Sequence, residues 1–539
     1  MQKLQTFDYL VFLFYFVVVA GYGYWVYQKK KSAQASTKDF FLAEGSLTWW
    51  AIGASLIASN ISAEQFIGMA GNGFSMGLAI STYEWMAAAT LIVVGVFFMP
   101  IYLKNKIYTM PQFLNQRYNS AVSLIMAIFW LALYILVNLT SILYLGALAV
   151  SGISGIDFWY CMIGLAIFAI IITLGGMKVI GYTDVIQVFF LVIGGLATTY
   201  LAVNLVSSEF GVQGLTEGFK TMTKQSEDHF HMIFKEGHPH YMALPGLTVL
   251  FGGMWIVNLN YWGCNQYITQ RALGADLKTA REGILFAAFL KLLMPIIVTL
   301  PGIAAYTLYQ KGLFQQEMLG EDGLLNQDKA YPVLLNLLPV GLKGLSFAAL
   351  TAAIVASLAG KANSISTIFT LDIFKEYIGK DTSEKQLVWI GRIVVVVAMI
   401  MAIVISPFMG IDKKGGFQFI QEMTGLLSPG IFAAFIMGFF WKRTNSAGAL
   451  FAIVGGFLIA LSMHNNWLPG TDWTQVPFLD RMGIVFVICV AVMFILGIVL
   501  PDEKKGLEID ASMFKVDKGF AIGAAIVLAV ITFLYTYFW

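Results

Sequence analysis

Apolar runs of about twenty residues recur along the whole chain, and short polar connections separate them. That run length is what a helix needs to cross a hydrocarbon layer. Hydropathy places about fourteen such runs, near 7–27, 48–70, 78–103, 119–150, 156–175, 182–206, 246–264, 283–309, 342–370, 387–407, 417–440, 446–464, 480–500 and 519–538. The first run, FDYLVFLFYFVVVAGYGYWVY, is too long for a signal-peptide core. Its lysines follow it rather than precede it, so it is expected to be a retained span. The pattern predicts an all-α membrane fold in one polytopic domain over 1–539, with no soluble domain inserted.

One stretch departs from this pattern. NISAEQFIGMAGNGFSMG, residues 60–77, carries Asn60, Ser62, Glu64, Gln65 and four glycines between apolar runs. Lipid leaves polar groups unsatisfied, so such a stretch must be buried in protein or line a cavity. Residues 48–70 are therefore expected to form a broken helix. A second candidate is LFGGMWIVNLNYWGCNQY, residues 250–267, with the Gly252–Gly253 pair at mid-span. Two interrupted helices in corresponding places point to a transporter built from inverted repeats, although the halves share no clear sequence similarity.

Composition supports the membrane assignment. The chain is 58% hydrophobic and 12% charged, with mean hydropathy +0.75. Soluble domains carry roughly 25% charged residues, about twice as much. The net charge is +2, and no basic block exists to bind a nucleic-acid backbone. Lys and Arg content alternates between successive connections. The rich set includes Lys29, Lys30, Lys31, Lys38, Arg117, Arg271, Arg281, Lys504 and Lys505. The positive-inside rule puts that set in the cytoplasm and both termini outside. The longest connections, near 207–245 and 310–341, then lie on the outer side and are expected to cap the bundle.

Candidate chemistry is sparse. Cys161, Cys264 and Cys489 have no disulfide or metal spacing and are read as small helix residues. His229, His231, His238 and His240 cluster in the first outer connection. They could in principle ligate a metal, but the expectation is an exposed polar loop. No HExxH pattern and no paired His/Cys set falls within a span, so no enzyme is indicated. The charges inside spans are more telling. Glu84 and Lys291 both sit in apolar runs, where ionisable groups default to functional roles. Opposite charges on one cavity would partly neutralise each other and offer hydrogen bonds to a neutral polar ligand. Gln65, Asn258 and Gln421 add amides, which present donor and acceptor together and suit vicinal hydroxyls. Tyr261 and Trp262 share a helix face with Asn258, placing an aromatic ring near the amides.

Long stretches of the chain resemble the sodium/solute symporters. They are WWAIGASLIASNISAEQFIGMAGNGFSMGLAISTYEWM, YTDVIQVFFLV, NYWGCNQYITQR, FAAFLKLLMP and NSISTIFTLDIFKEY. The resemblance runs from about residue 7 to 538 and is strongest to bacterial sodium/galactose (glucose) symporters. It implies fourteen transmembrane helices, ten of them in a five-plus-five inverted repeat of the leucine-transporter type. The repeats would occupy 48–206 and 246–440. An extra helix and cytoplasmic loop would lie at 1–47, and further helices at 441–539.

The resemblance also implies site residues. Gln65, Glu84, Asn258, Lys291 and Gln421 match side chains that bond the hexose hydroxyls. Tyr261 matches the ring stacked on the sugar from the cytoplasmic side, and Asn60 its hydrogen-bond partner. Met69, Tyr83 and Phe417 match an outer hydrophobic gate. One family sugar contact, a serine, is Ala87 here, which bears on hexose preference. The sodium site would use backbone carbonyls of Ala58, Ile61 and Ala353 with two adjacent serines. In AAIVASLAGK the first serine is replaced by Ala356, leaving Ser357. Lys361 lies four residues beyond Ser357 on the same helix face. Its ammonium could reach the ion position and repel sodium; the expectation is that it snorkels to the cytoplasm. Asp184, matching a carboxylate near the exit path, is a candidate to balance it.

The implied function is sodium-coupled uptake of a hexose across a bacterial inner membrane by alternating access. No cofactor beyond the coupling ion and no obligatory protein partner is implied. The rivals are a sodium-independent or proton-driven sugar carrier with Lys361 near the ion site, and a membrane sugar sensor. The chain holds no stretch of soluble sequence that would supply a sensor's output domain.

Overall fold

The computed structural model describes residues 4–29, 47–320, 323–408, 416–500 and 506–539. Lys30, Lys31, Lys38, Lys504 and Lys505, used above for orientation, lie outside the described residues, as does most of the 30–47 connection.

The described residues are helical apart from connections and one isolated bridge between Leu319 and Leu325. The helices that matter below are α1 (Thr6–Lys29), α2 (Trp49–Asn60), α3 (Thr82–Val93), α4 (Ser120–Ser154), α5 (Phe158–Thr173), α6 (Gly176–Glu209), α7 (Gly253–Gly263), α8 (Gln266–Leu273), α9 (Leu277–Ile297), α10 (Thr299–Gln310), α11 (Leu342–Thr367), α12 (Glu384–Ile405), α13 (Gly416–Gly425), α14 (Ser428–Phe440), α15 (Ser446–His464), α16 (Phe478–Val499) and α17 (Lys518–Tyr537). Among the described residues, ten helices are long and apolar enough to cross a membrane. Counting a bent pair, α13 with α14, makes eleven. The chain is a multi-pass membrane protein.

The bundle has an inside and an outside. α2, α3 and α11 are buried along almost their whole length. α1, α16 and α17 turn apolar side chains outward, among them Phe14, Val487 and Phe533. Exposed apolar faces on helices that satisfy their own backbone groups are what lipid requires.

α2 packs on α9, α6 and α11, which fixes the centre of the bundle. Small residues permit the α2–α9 approach. A Cβ on Gly53 would lie 2.6 Å from the Gly283 carbonyl oxygen, so only glycine fits that crossing. At Gly77 the chain turns back, with φ +73. Ala70–Met76 packs on α10, and α3 then returns to pack on α9. That left-handed backbone, pressed against the His229 backbone, again requires glycine.

The helix over 48–70 is broken as the sequence predicts. α2 ends at Asn60, Ile61 is extended (φ −84, ψ 111), and a wide π-type turn spans Glu64–Met69. The 250–267 run is interrupted at the expected glycine pair: Gly252 (φ −123, ψ −123) separates a single turn, Thr248–Phe251, from α7. It is interrupted again at Cys264 and Asn265, between α7 and α8. The Asn265 side chain accepts from the Tyr267 N–H at 3.1 Å and so caps α8. A further interruption, unforeseen in the 417–440 run, bends α13 against α14 by 50°.

Candidate functional site

The breaks and the α13 bend leave a polar cavity at the centre of the bundle. Gln65, Glu84, Asn258, Lys291 and Gln421 all line it, carried by five different segments. Asn60, Tyr261 and Trp262 complete its aromatic and amide wall. The residues the sequence selected for hexose contact therefore converge on one space.

A hydrogen-bonded chain organises this wall. The Lys291 ammonium donates to the Glu84 carboxylate and to the Asn60 amide oxygen. The Asn60 amide nitrogen donates onward to the Tyr261 hydroxyl at 3.2 Å. Lys291 also stands 5.2 Å from the centre of the Trp262 ring. One network thus ties α9, α3, α2 and α7 together. Burying two opposite charges is tolerable because each retains a partner.

Gln65 serves the break as well as the cavity. Its amide oxygen accepts from the Ser62 N–H at 3.1 Å, satisfying a donor that the interrupted helix leaves open. Asn258 also holds a local bond: its side-chain nitrogen donates back to the Met254 carbonyl at 3.1 Å.

Tyr83 and Phe417 meet edge to face, with ring centres 5.1 Å apart, and both border the cavity. Met69, expected beside them, is fully buried in the Glu64–Met69 turn against which α13 packs. Ala87 lines the cavity where the resemblance implies a serine.

Below the break lies a second cluster, made of oxygens. The Ser357 hydroxyl sits 3.1 Å from the Ser59 carbonyl, 3.3 Å from Ala58 and 3.4 Å from Ile61. Three carbonyls meet there because the helix stops at Asn60 and its last acceptors lack intrahelical donors. Ala353 is buried one turn before Ser357 on α11. Oxygen-only sets of this kind suit a hard cation.

Lys361 does not snorkel. It is 4% exposed, and its ammonium donates to the Asn138 amide oxygen at 3.1 Å and lies 4.0 Å from the centre of the Tyr267 ring. An acceptor from α4 and an aromatic face from α8 hold it inside. Asp184 does not balance it either. Asp184 accepts from the Ser55 hydroxyl at 2.5 Å and faces Arg271. The carboxylate that shares the cavity with Lys361 is that of Glu64. Glu64, Asn138 and Asn265 line the cavity without having been selected as site residues. For Glu64 the signal was present in the polar stretch 60–77.

Three basic residues used for orientation are buried caps. Arg117 donates to the Gly438 and Trp441 carbonyls at 2.9 and 3.0 Å, Arg281 to Gly95 at 2.9 Å, and Arg271 to Ser55 at 3.2 Å. The histidine cluster is also partly buried. His229 stacks on Tyr306 at 3.8 Å and bonds the Phe74 carbonyl at 3.0 Å, so it is not part of an exposed loop. Among the described residues, no group of three or more His, Cys, Asp or Glu could hold a metal. Gly73–Gly77 spells G-x-S-x-G, but Ser75 ends a helix and bonds the Asn72 carbonyl, not the strand-to-helix elbow of a hydrolase.

The chain is similar to known proteins over most of its length. The family model for the sodium:solute symporter family matches residues 40–456. The sodium/glucose cotransporter of Vibrio parahaemolyticus is 48% identical, covering 99% of this chain and 99% of that protein. The human sodium/myo-inositol cotransporter 2 is 35% identical over 85% of this chain and 70% of its own length. In fold, the chain is similar to an outward-open sodium-coupled sialic acid symporter, with TM-score 0.79 and 23% identity over 93% of this chain and 99% of that one. The match to residues 40–456 and the near full-length relative lead to one assignment: the chain belongs to the sodium:solute symporter family.

Proposed function

We propose that the chain carries a neutral hexose, galactose or glucose, into a bacterial cell together with sodium, by alternating access. The observation that carries this reading is the convergence of Gln65, Glu84, Asn258, Lys291 and Gln421 on one buried cavity. The 48% identical relative named a sodium/glucose cotransporter supports the choice of solute.

In this reading the five side chains bond the sugar hydroxyls, and Tyr261, held by Asn60, stacks beneath the ring. Met69, Tyr83 and Phe417 form the outer gate. Sodium binds among the Ala58, Ile61 and Ala353 carbonyls and the Ser357 hydroxyl, at the end of α2. Because α2 also leads into Gln65, an ion that orders the break orders part of the sugar site. Coupling then requires only that each ligand bind one state better than another. One charge moving down 100 mV supplies about 2.3 kcal/mol, to which the sodium gradient adds. Fourteen helices, with inverted repeats over 48–206 and 246–440 and extra helices at 1–47 and 441–539, would rock about this site. Both termini face outward in the inner membrane. No resident cofactor and no partner protein enters the scheme.

Buried Lys361 favours a second reading, a sodium-independent or proton-driven carrier. Proteoliposomes separate the two. Labelled hexose should accumulate under an inward sodium gradient and not under a pH gradient alone. Accumulation without sodium would replace the first reading by the second.

A further inference from the structure

Part of the cavity wall is made by Lys361, Glu64 and Asn138, which are not among the hexose contacts. Lys361 enters it from α11, Glu64 from the π-type turn and Asn138 from α4. The rings of Tyr134, Tyr261 and Tyr267 surround the ammonium, with centres 5.4, 5.9 and 4.0 Å from it. An amide oxygen and three π faces, with a carboxylate on the same cavity, have the chemistry of a monovalent cation site. The cation in it is a side chain.

We propose that the Lys361 ammonium is a tethered cation that fills a site formed by Glu64, Asn138 and the three tyrosines, and so bars a second sodium ion from that place.

The inference rests on the symport reading above and adds to it. Ser357 lies one turn before Lys361 on α11, and the Ser59 carbonyl near Ser357 also accepts from the Tyr267 hydroxyl. Tyr267 is the ring closest to the ammonium. The tethered charge therefore borders the oxygen cluster through a shared residue. The Glu64 carboxylate on the same cavity offsets part of its repulsion of an ion at Ser357. Glu64 also directly precedes Gln65 in the turn, so its charge connects the Lys361 side of the cavity to the hexose wall. Within this scheme the chain moves one mobile cation per hexose, because the second position is always occupied.

Labelled sodium binding to the purified, detergent-solubilised full chain tests this without transport. Wild type should bind one sodium per chain. Lys361→Ala, which empties the shell but keeps Glu64, should bind two. Glu64→Gln with Lys361→Ala should return to one. A monodisperse Lys361→Ala chain with no added sodium overturns the inference. So does a double variant that still binds one more sodium than wild type. Should Lys361→Ala not be recovered folded, Glu64→Gln alone decides. It leaves the ammonium uncompensated, so sodium affinity should fall by about tenfold; an unchanged affinity overturns the inference. Absence of sodium binding by wild type counts against the symport reading instead, whatever Lys361→Ala gains.

Discussion

Lys291 and Glu84 form an ion pair sealed from solvent, with side-chain exposures of 1% and 3%. They come from α9 and α3, 207 residues apart, and meet only because the chain turns back at Gly77. A buried pair of this kind is costly to split, since the survivor is left as an uncompensated charge. Lys291→Ala should therefore destabilise the protein by about 3–5 kcal/mol, read as a lowered melting point in detergent. Lys291→Met with Glu84→Gln, which removes both charges, should cost less than either single change while still abolishing hexose uptake. A double variant less stable than both singles would contradict the pairing.

Tyr261 should act on the hexose through its ring and on the network through its hydroxyl. Tyr261→Ala should weaken hexose binding by about tenfold, the loss of one stacking face. Tyr261→Phe keeps the face and removes only the bond from Asn60, so its affinity should stay within about threefold of wild type. Calorimetric titration of the purified variants with galactose or glucose checks both.

The oxygen cluster makes its own prediction. Ser357→Ala removes the hydroxyl that sits among the Ser59, Ala58 and Ile61 carbonyls and should abolish sodium stimulation of uptake. Ala356→Ser restores the second hydroxyl and should raise sodium affinity by about fivefold. The sodium concentration for half-maximal uptake measures each effect, and an unchanged value for Ala356→Ser would show that the missing hydroxyl is irrelevant.

His229 gives the fold a pH dependence. Burial holds its imidazole below the usual histidine range. The folded-state value is thus depressed, and the unfolded chain binds the proton more readily below about pH 6.5. The stability contribution is complete above that pH and is lost as pH falls through the window beneath it. His238 and His240 are shifted the same way, also by burial, and add to the slope. The melting point should therefore drop between pH 7.5 and 5.5, and His229→Gln should flatten that drop. An equal drop in both proteins would remove His229 from the account.

Much of this architecture was legible in the sequence, for physical reasons that differ by residue. Hydrophobic run length reports helices, and polar residues within a run report a break, so the interruption after Asn60 could be read directly. The break at Gly252 could be read from its glycine pair. The further break before α8 was missed, and its signal was Asn265, a capping residue placed before the polar start of α8. Lys361 was misplaced for another reason. Sequence gives the depth of a side chain but not what its neighbours offer, and its acceptor Asn138 lies 223 residues away. The basic residues counted for orientation carried the same ambiguity, because Arg117, Arg271 and Arg281 cap carbonyls in the interior as an exposed loop residue never would.

The central claim is that side chains from separate helices together form one hexose site. Titration of purified wild type, Gln65→Ala, Asn258→Ala and Gln421→Ala with galactose and glucose in sodium tests it most directly. Wild type should bind one of the sugars, and each variant should bind it about tenfold more weakly, the loss of one hydrogen bond in a dry site. Wild-type affinity retained in all three variants would contradict the account.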